Sequence, residues 1–311
     1  MRETTDDLQR WDFGDGNAES LLARLQSHPR FAAAILALAQ SMLALGDADK
    51  TLDGIFKDAG RYVAAMWSMY LHASGGLTVP RLKEICAASG LVSPGRARAL
   101  LLYMRYLGYV VALPKQRRSD IARYAPTENF LNSWRAHMRA ALQAAERIEP
   151  AVGLVLDRLN DPAVLERVSR IQSEGLLAWA KEGDQQEPFV RVFMHPHAGN
   201  QIVWMLLAAS PGGAFPPQGP LAFSIGTAAK RFGVSRTHIR RMIDAATREN
   251  LILYAEDGTV AFREGARETL SRYYATQILQ LLITAARTLA YFDDAAPPPD
   301  RSNRPMAESA A

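Results

Sequence analysis

A cluster of hydrogen-bond donors at positions 235–241 has the chemistry of a nucleic-acid contact. Hydroxyl, imidazole and guanidinium groups fill six of these seven positions: Ser235, Arg236, Thr237, His238, Arg240 and Arg241. Such groups suit phosphate oxygens and the edges of bases. The cluster therefore predicts a segment that contacts DNA.

The residues around the cluster predict a helix, a tight turn and a second helix within Phe223–Phe262. Gly233 ends the short first helix, because glycine adopts left-handed backbone angles without a Cβ clash. Ser235 is a good N-cap for the second helix, which we expect from Arg236 to about Asn250. The buried face of this helix is predicted from helical spacing to carry Ile239, Ile243 and Ala246.

A two-stranded hairpin is predicted after the second helix. Leu251–Tyr254 and Thr259–Phe262 read as strands, and Asp257-Gly258 is a pair that favours a type I′ turn. The whole stretch resembles the winged helix-turn-helix family of DNA-binding domains, most specifically in Gly233-Val234-Ser235 and in the Asp-Gly hairpin. The resemblance implies that the second helix enters the major groove and that the hairpin lies beside the backbone or the minor groove.

Residues 77–127 carry a second copy of the same pattern. A shift of 142 positions places Val92-Ser93 on Val234-Ser235 and Arg98 on Arg240. Ser93 is the predicted N-cap of this helix, and Pro94 suits its first position because a missing N–H costs nothing there. Arg96 and Arg98 are expected on its exposed face.

A long basic loop follows the helix of this first copy. Tyr109–Leu113 and Ile121–Tyr124 are the predicted strands on either side of it. Four cations are candidates for phosphate contacts or insertion into the minor groove: Lys115, Arg117, Arg118 and Arg123. The loop resembles the basic wing of the MarR-like branch of winged-helix regulators, and a helix near 130–147 follows as that branch implies.

Two such units in one chain predict a mainly α fold with small β-wings, in which two tandem winged helix-turn-helix domains form a pseudo-dimer packed by flanking helices. Recognition helices about one helical turn apart, roughly 34–36 Å, would then read two half-sites. The predicted divisions are a flexible N-terminal arm at 1–20, a first winged-helix domain at 21–149, a helical connector at 150–190, a second winged-helix domain at 191–294 and a disordered tail at 295–311.

Apolar periodicity predicts the flanking helices. Phe31 to Leu45 form a core-facing stripe, and a second helix is expected over about Leu52 to His72. Phe189–Met194 is interpreted as a short strand or an extended segment, and Glu264–Phe292 as a long helix.

The distribution of charge supports a polyanion partner more than the net charge of +4 does. Residues 80–140 hold eleven Lys/Arg against three acids, and residues 221–275 hold nine against six. Residues 1–20 and 145–190 are acidic, each with a net charge of −4. Basic charge is thus gathered in the two DNA-binding copies, as an electrostatic footprint on DNA requires.

The sequence predicts no enzyme, cofactor or metal site. It contains no nucleophile elbow, HExxH, P-loop or CxxC motif, and His195 and His197 lack further ligands at workable spacing. The lone Cys86 is interpreted as a small buried hydrophobe on a helix. The acidic start and the short apolar run at 31–45 predict a soluble cytoplasmic protein with no membrane span.

Double-stranded DNA is the predicted partner, and a repressor is the simplest role. Two further partners are compatible with this organisation. One is a second copy of the chain, in a homodimer, and the other is a small-molecule effector bound between the modules and the outer helices, near Trp67, Tyr70 or Trp204. Two alternatives stay open. One is a plasmid replication initiator with two winged-helix modules, and the other is a winged-helix scaffold that binds proteins.

Overall fold

The computed structural model describes residues 8–12, 18–182 and 187–294, and it is 70% helix and 7% strand. The prediction of a mainly α fold with small antiparallel sheets is therefore confirmed. The helices are α1 (Ala18–Gln26), α2 (Phe31–Ala48), α3 (Lys50–Phe56), α4 (Ala59–Ala73), α5 (Val79–Ser89), α6 (Pro94–Tyr106), α7 (Glu128–Glu146), α8 (Gly153–Arg158), α9 (Pro162–Glu182), α10 (Gly199–Ala208), α11 (Ile225–Phe232), α12 (Arg236–Arg248) and α13 (Glu264–Asp294). The strands are β1 (Leu77–Thr78), β2 (Val110–Ala112), β3 (Arg123–Pro126), β4 (Leu221–Ala222), β5 (Ile252–Tyr254) and β6 (Thr259–Phe262).

Two units of the chain share one order of elements, namely strand, helix, turn, helix and hairpin. Unit 1 runs from β1 to β3 and unit 2 from β4 to β6. In each unit the last strand is central, so the strand orders are β1-β3-β2 and β4-β6-β5, all antiparallel. The helices α6 and α12 both have 13 residues, and their starts differ by 142 positions.

The same shift of 142 holds through β2 and β5 and falls to 136 at β3 and β6. The difference arises because the first hairpin loop spans ten residues, 113–122, whereas the second spans four, 255–258. Gly108 and Asn250 occupy equivalent positions, and both have left-handed backbone angles with φ of 74° and 56°. The two units therefore turn from helix to hairpin in the same way, as glycine and asparagine permit.

One hydrophobic core joins both units to the flanking helices. The predicted connector 150–190 does not separate two domains, because α9 packs between α4 and α13. Ser169 on α9 is fully buried and accepts a hydrogen bond from the Trp134 indole at 3.1 Å. The predicted boundaries at 149 and 191 therefore fall inside a shared core.

The predicted second helix is two helices, since α3 ends at Phe56 and α4 begins at Ala59. Asp58 between them is extended, with φ −157° and ψ 159°, and its carboxylate accepts a hydrogen bond from the Arg61 N–H at 2.9 Å. An acceptor in that geometry starts a new helix. Apolar periodicity alone did not reveal the break because Leu52 and Val63 are both buried.

Three local predictions in the hairpins and the linker are wrong. The return strand of unit 1 is β3 rather than Ile121–Tyr124, because residues 123–126 are the ones opposite β1 and β2. In the second hairpin only Gly258 has positive φ, and its N–H bonds to Ala255 O at 3.0 Å. The turn is therefore a type I turn closed by a left-handed glycine. Val190–Met194 is a π-helical turn rather than a strand, since a short apolar run has no distinctive period.

The N-terminal residues that the structure describes are packed, contrary to the predicted loose arm. Leu8 and Trp11 are buried, and the Trp11 indole donates to the Glu149 carboxylate at 3.3 Å. Arg24 stacks over the same ring at 4.5 Å. The rest of the predicted arm up to 17, residues 1–7 and 13–17, and the predicted tail 295–311 lie outside the described residues.

Among the described helices, α2 is long and apolar enough to cross a membrane by length and composition. It packs against α7 and α10, which is the position of a core helix.

Candidate nucleic-acid interface

The exposed face of α12 carries three arginines that form no ion pair within the described part of the chain: Arg236, Arg240 and Arg241. Thr237 is exposed beside them. The Arg240 guanidinium lies over the Tyr254 ring of β5 at 5.6 Å from its centroid. This cation–π contact fixes the direction of the side chain while leaving its N–H groups available. The helix thus presents a donor face whose buried side is set by Ile239, Met242, Ile243 and Ala246.

The corresponding helix of unit 1, α6, has a mixed exposed face. Arg98 and Arg105 are exposed on it, and neither has an ion pair among the described residues. Large apolar side chains share this face, of which Tyr106, directly after Arg105, is 85% exposed. Leu102 and Tyr103 belong to the same surface. The α6 face therefore offers fewer polar donors than α12 and more apolar area.

The first hairpin loop projects a run of cations into solvent. Lys115, Arg117 and Arg118 are exposed, and the Asp120 carboxylate holds the loop by accepting from the Arg117 backbone N–H at 2.7 Å. Arg123 behaves differently, since its guanidinium turns back towards Gly75 O at 3.4 Å. Three of the four predicted loop cations are thus available for phosphates.

The second hairpin loop is acidic at its tip. Glu256 and Asp257 are exposed there. Hydrogen bonds from the side chain and backbone of Thr259 lower the pKa of Asp257, so its carboxylate is charged. A negative tip repels anions such as phosphates, so the tips of the two hairpins differ in the sign of their charge and in the ligands that suit them.

A buried carboxylate links the first turns of α6 and α12. The Asp58 cluster consists of Asp58, Arg61, Arg96, His197 and His238. Arg96 Nη2 lies 2.8 Å from Asp58 Oδ1. His197 Nε2 lies 2.8 Å from Asp58 Oδ2. His238 Nε2 donates to His197 O at 2.8 Å. Three short contacts thus connect one helix to the other.

Arg96 and His238 are equivalent residues, 142 positions apart, and each follows its serine cap by three. Ser93 Oγ accepts from the Arg96 N–H at 3.4 Å, and Ser235 Oγ accepts from the His238 N–H at 3.1 Å. Both side chains turn inward to the Asp58 cluster rather than outward as predicted. Only Asp58 and His197 lie between Arg96 and His238 along these contacts. Such a short chain of side chains cannot span the roughly 34–36 Å that separates two recognition helices one DNA turn apart. The N-terminal ends of the two helices are therefore closer together than the sequence suggested.

Burial makes the Asp58 carboxylate the centre of the cluster. Its side chain is 1% exposed, while those of Arg96 and His197 are about half exposed. Gly60 gives Arg96 its route, because a Cβ there would lie 2.8 Å from the guanidinium carbon. Burial is the largest influence on His197 and lowers its pKa, although Asp58 opposes that change. The His197 ring nitrogen approaches Asp58 Oδ2 closely without the geometry of a hydrogen bond, and that oxygen has no hydrogen-bond partner among the described residues.

We expect Asp58→Asn to lower the free energy of unfolding by about 1–3 kcal/mol. Asparagine keeps an acceptor for the helix cap, but Arg96 and Arg61 lose their buried counter-charge. The loss is smaller than for a fully buried pair, because the half-exposed Arg96 regains water. Urea denaturation measures it.

The matched control is Glu19→Gln, since Glu19 pairs with Arg272 where both side chains are exposed. Little change is expected there because solvent screens an exposed pair. If both substitutions lowered the free energy of unfolding equally, the Asp58 cluster would stabilise the fold no more than an exposed ion pair does.

The central cavity, about 210 Å³ in volume, lies beneath this surface, between unit-flanking helices α4, α7, α10 and α13. Trp204, one of the residues predicted near an effector, lines it. The other two do not, since Trp67 packs against Tyr70 outside its wall. Of the three residues named for an effector, only Trp204 lines this cavity, while α4 contributes other side chains such as Tyr62 and Met66; the effector itself stays a prediction.

His137 forms a buried polar pair beside this cavity. Its Nε2 lies 3.1 Å from the Tyr62 hydroxyl and its Nδ1 lies 3.3 Å from Met42 Sδ. Burial lowers the pKa of His137 to about 3. The imidazole is therefore neutral at neutral pH. In the tautomer that carries its proton on Nδ1, the Tyr62 hydroxyl donates the hydrogen bond to Nε2.

His137 should make the protein less stable in acid. The unfolded chain takes up a proton below about pH 6.5, whereas the folded chain does not until near pH 3. The free energy of unfolding therefore falls with decreasing pH in that window, by up to about 1.4 kcal/mol per pH unit. Between pH 6.5 and 4.5 we expect the native protein to lose about 2–3 kcal/mol more than His137→Gln, whose side chain does not titrate. Parallel stability curves from urea denaturation would contradict this.

Two further predictions concern metals and thiols. Within the described residues, no group of three or more His, Cys, Asp or Glu side chains could hold a metal ion. Cys86 lies buried on α5, as predicted, and burial raises its pKa to about 12. Its thiol is therefore inert at neutral pH.

Sequence reasoning missed Asp58 and His197, which organise the surface from outside the two repeats. An aspartate such as Asp58 is a common N-cap and could have indicated that a new helix begins at Ala59. The prediction of one continuous helix over 52–72 concealed this.

The chain was also compared with known proteins. No family model matches it, and neither a curated protein nor a solved structure matches it.

Proposed function

We propose that this protein binds double-stranded DNA sequence-specifically and regulates transcription, most simply as a repressor, through two winged helix-turn-helix units in one chain. The observation that carries the proposal is the unpaired arginine face of α12, with Arg240 oriented over Tyr254. Arginine donors on an exposed helix suit base edges in the major groove.

The element order of both units supports the proposal. Each has a short strand, two helices joined by a turn, and a hairpin whose last strand is central. Winged helix-turn-helix domains have the same order. In this reading α6 and α12 are the recognition helices and the two hairpins are the wings.

The two units take different parts in binding. The first hairpin loop is cationic and suits phosphate contacts, whereas the second has Glu256 and Asp257 at its tip. Because the Asp58 cluster holds the first turns of α6 and α12 together, we favour one composite surface over two equal half-sites. Unit 2 then reads bases and unit 1 adds affinity.

The test is selection from a random duplex pool, followed by binding of two variants. Arg240→Ala should relax the sequence preference, because a base-edge contact contributes about 1–3 kcal/mol of discrimination. Arg117→Ala should weaken binding to every sequence alike. Selection of no preferred sequence, or uniform losses from both variants, would overturn the proposal of sequence-specific reading.

The apolar side chains of unit 1 favour a second candidate, a scaffold that binds proteins through α6. Tyr106 and Ile121 are 85% and 64% exposed, and exposed apolar patches are typical of protein contacts. Retained duplex affinity in Tyr106→Ser would leave DNA binding as the main activity.

A plasmid replication initiator would also bind duplex DNA through the same residues. Selection of repeated origin sequences, rather than of an operator, would identify that function.

A further inference from the structure

We propose that the central cavity is a binding site for an uncharged aromatic compound that carries a hydroxyl or N–H group. Its effect on DNA rests on the proposed function, whereas binding itself does not. The cavity volume of about 210 Å³ exceeds the roughly 150 Å³ of an apolar cavity that holds benzene. A fused two-ring compound therefore fits the space.

Aromatic walls favour a planar occupant. The lining includes five rings from the helices α3, α4, α10 and α13: Phe56, Tyr62, Trp204, Tyr273 and Tyr274. Phe56 packs edge-on against Trp204 at 5.4 Å, and Tyr273 packs edge-on against Tyr274 at 5.3 Å. Rings in such arrangements offer both faces and edges to a further aromatic group.

Besides Asp58 Oδ2, which is ion-paired with Arg61, two buried polar atoms of the lining need a hydrogen-bond partner. Tyr274 is 2% exposed, and although the Trp204 indole approaches its hydroxyl, no described residue accepts the hydroxyl proton. Asn200 Oδ1 at the start of α10 has no hydrogen-bond partner among the described residues. Leaving such groups unpaired costs about 1–3 kcal/mol each. A ligand hydroxyl can accept from Tyr274 or donate to Asn200, and so recover that cost.

The charge of the lining selects against anions. The wall contains one carboxylate, Asp58, two imidazoles, His137 and His195, and neither lysine nor arginine, and burial keeps His137 neutral. A carboxylate ligand would be buried without a counter-charge, which is strongly unfavourable. A cation gains little, because Asp58 already pairs with Arg96 and Arg61. An uncharged ligand is the remaining class.

The cavity and the proposed DNA surface share structural parts. Asp58 lines the cavity and also holds Arg96. Met194 and His195 line it just before His197, which contacts both Asp58 and His238. A ligand that shifts this wall therefore changes the placement of α6 relative to α12.

The test uses 2-naphthol and its carboxylate analogue 2-naphthoate as probes of the full chain, in calorimetry without DNA. We expect 2-naphthol to bind with one-to-one stoichiometry and 2-naphthoate to bind at least about tenfold more weakly. Tyr274→Phe keeps the ring and should weaken 2-naphthol binding about fivefold. Ala141→Leu on α7 narrows the cavity and should weaken it further.

Absence of 2-naphthol binding, or equal affinities for the two probes, would overturn the proposal. If Ala141→Leu fails to fold, Tyr274→Phe still decides, and unchanged affinity in that variant would exclude the assigned hydrogen bond. Duplex binding is measured separately with and without 2-naphthol. Binding of 2-naphthol to a chain with no duplex affinity would refute the proposed function alone, and the reverse outcome would refute the cavity site alone.

Discussion

Replacing Arg236, Arg240 and Arg241 together with glutamine should reduce affinity for duplex DNA by at least about 100-fold and remove sequence preference. Each arginine projects from the exposed face of α12, and none has an ion pair among the described residues. A base or phosphate contact from arginine contributes about 1–3 kcal/mol. The folded state should change little, because the three side chains are exposed and a cation–π contact at an exposed site, such as that of Arg240 with Tyr254, contributes about 0.5–1 kcal/mol. Fluorescence anisotropy with a selected duplex measures the effect.

The matched control removes three positive charges that lie on neither α12 nor the first hairpin loop, as Arg30→Gln, Arg147→Gln and Arg158→Gln together. All three are exposed. Arg147 follows α7, whose 19 residues carry it about 28 Å from the first hairpin. The control should keep most of the affinity. Comparable losses in the two triple variants would mean that net charge, rather than the α12 face, drives binding.

The second large effect is expected at the first hairpin loop. Replacing Lys115, Arg117 and Arg118 with glutamine should weaken binding to all duplexes by about 100-fold at 0.1 M salt and lower the salt slope by about 2 to 3. Each side chain is exposed on a loop that Asp120 holds in shape. Phosphate contacts carry no sequence information, so the ranking of sequences should stay the same.

The acidic second hairpin provides the opposite comparison. Glu256→Gln removes a negative charge from its exposed tip and should leave affinity unchanged or raise it. A loss of affinity there, or a change in sequence ranking from the first-loop variant, would contradict the division between the two hairpins.

Local signals predicted the repeated elements well. Ser93 and Ser235 are N-caps, Gly233 is left-handed at the end of α11, and α6 and α12 begin 142 positions apart as the alignment required. Cap chemistry and helical spacing depend on residues a few positions apart, so the sequence displays them directly. The two-residue strands β1 and β4 were missed because so short a segment has no period.

Long-range packing decided what the sequence could not show. Arg96 and His238 were predicted to face DNA, but a carboxylate 38 residues from Arg96 draws that side chain inward. Trp11 was placed in a loose arm, yet Glu149 and Arg24 bury it. In both cases the partner lies far along the chain or in another element, where neither periodicity nor propensity indicates it.

The central claim is that this chain binds duplex DNA through cations on α12 and the first hairpin loop, and salt-titrated affinity for duplex DNA tests it most directly. Six cations on these two elements form no ion pair within the described part of the chain, and they predict that the logarithm of the association constant falls with the logarithm of salt concentration at a slope of about −4 or steeper. The α12 and first-loop triple variants should each have a shallower slope. A slope near zero for the native chain, or slopes that neither variant alters, would contradict the account.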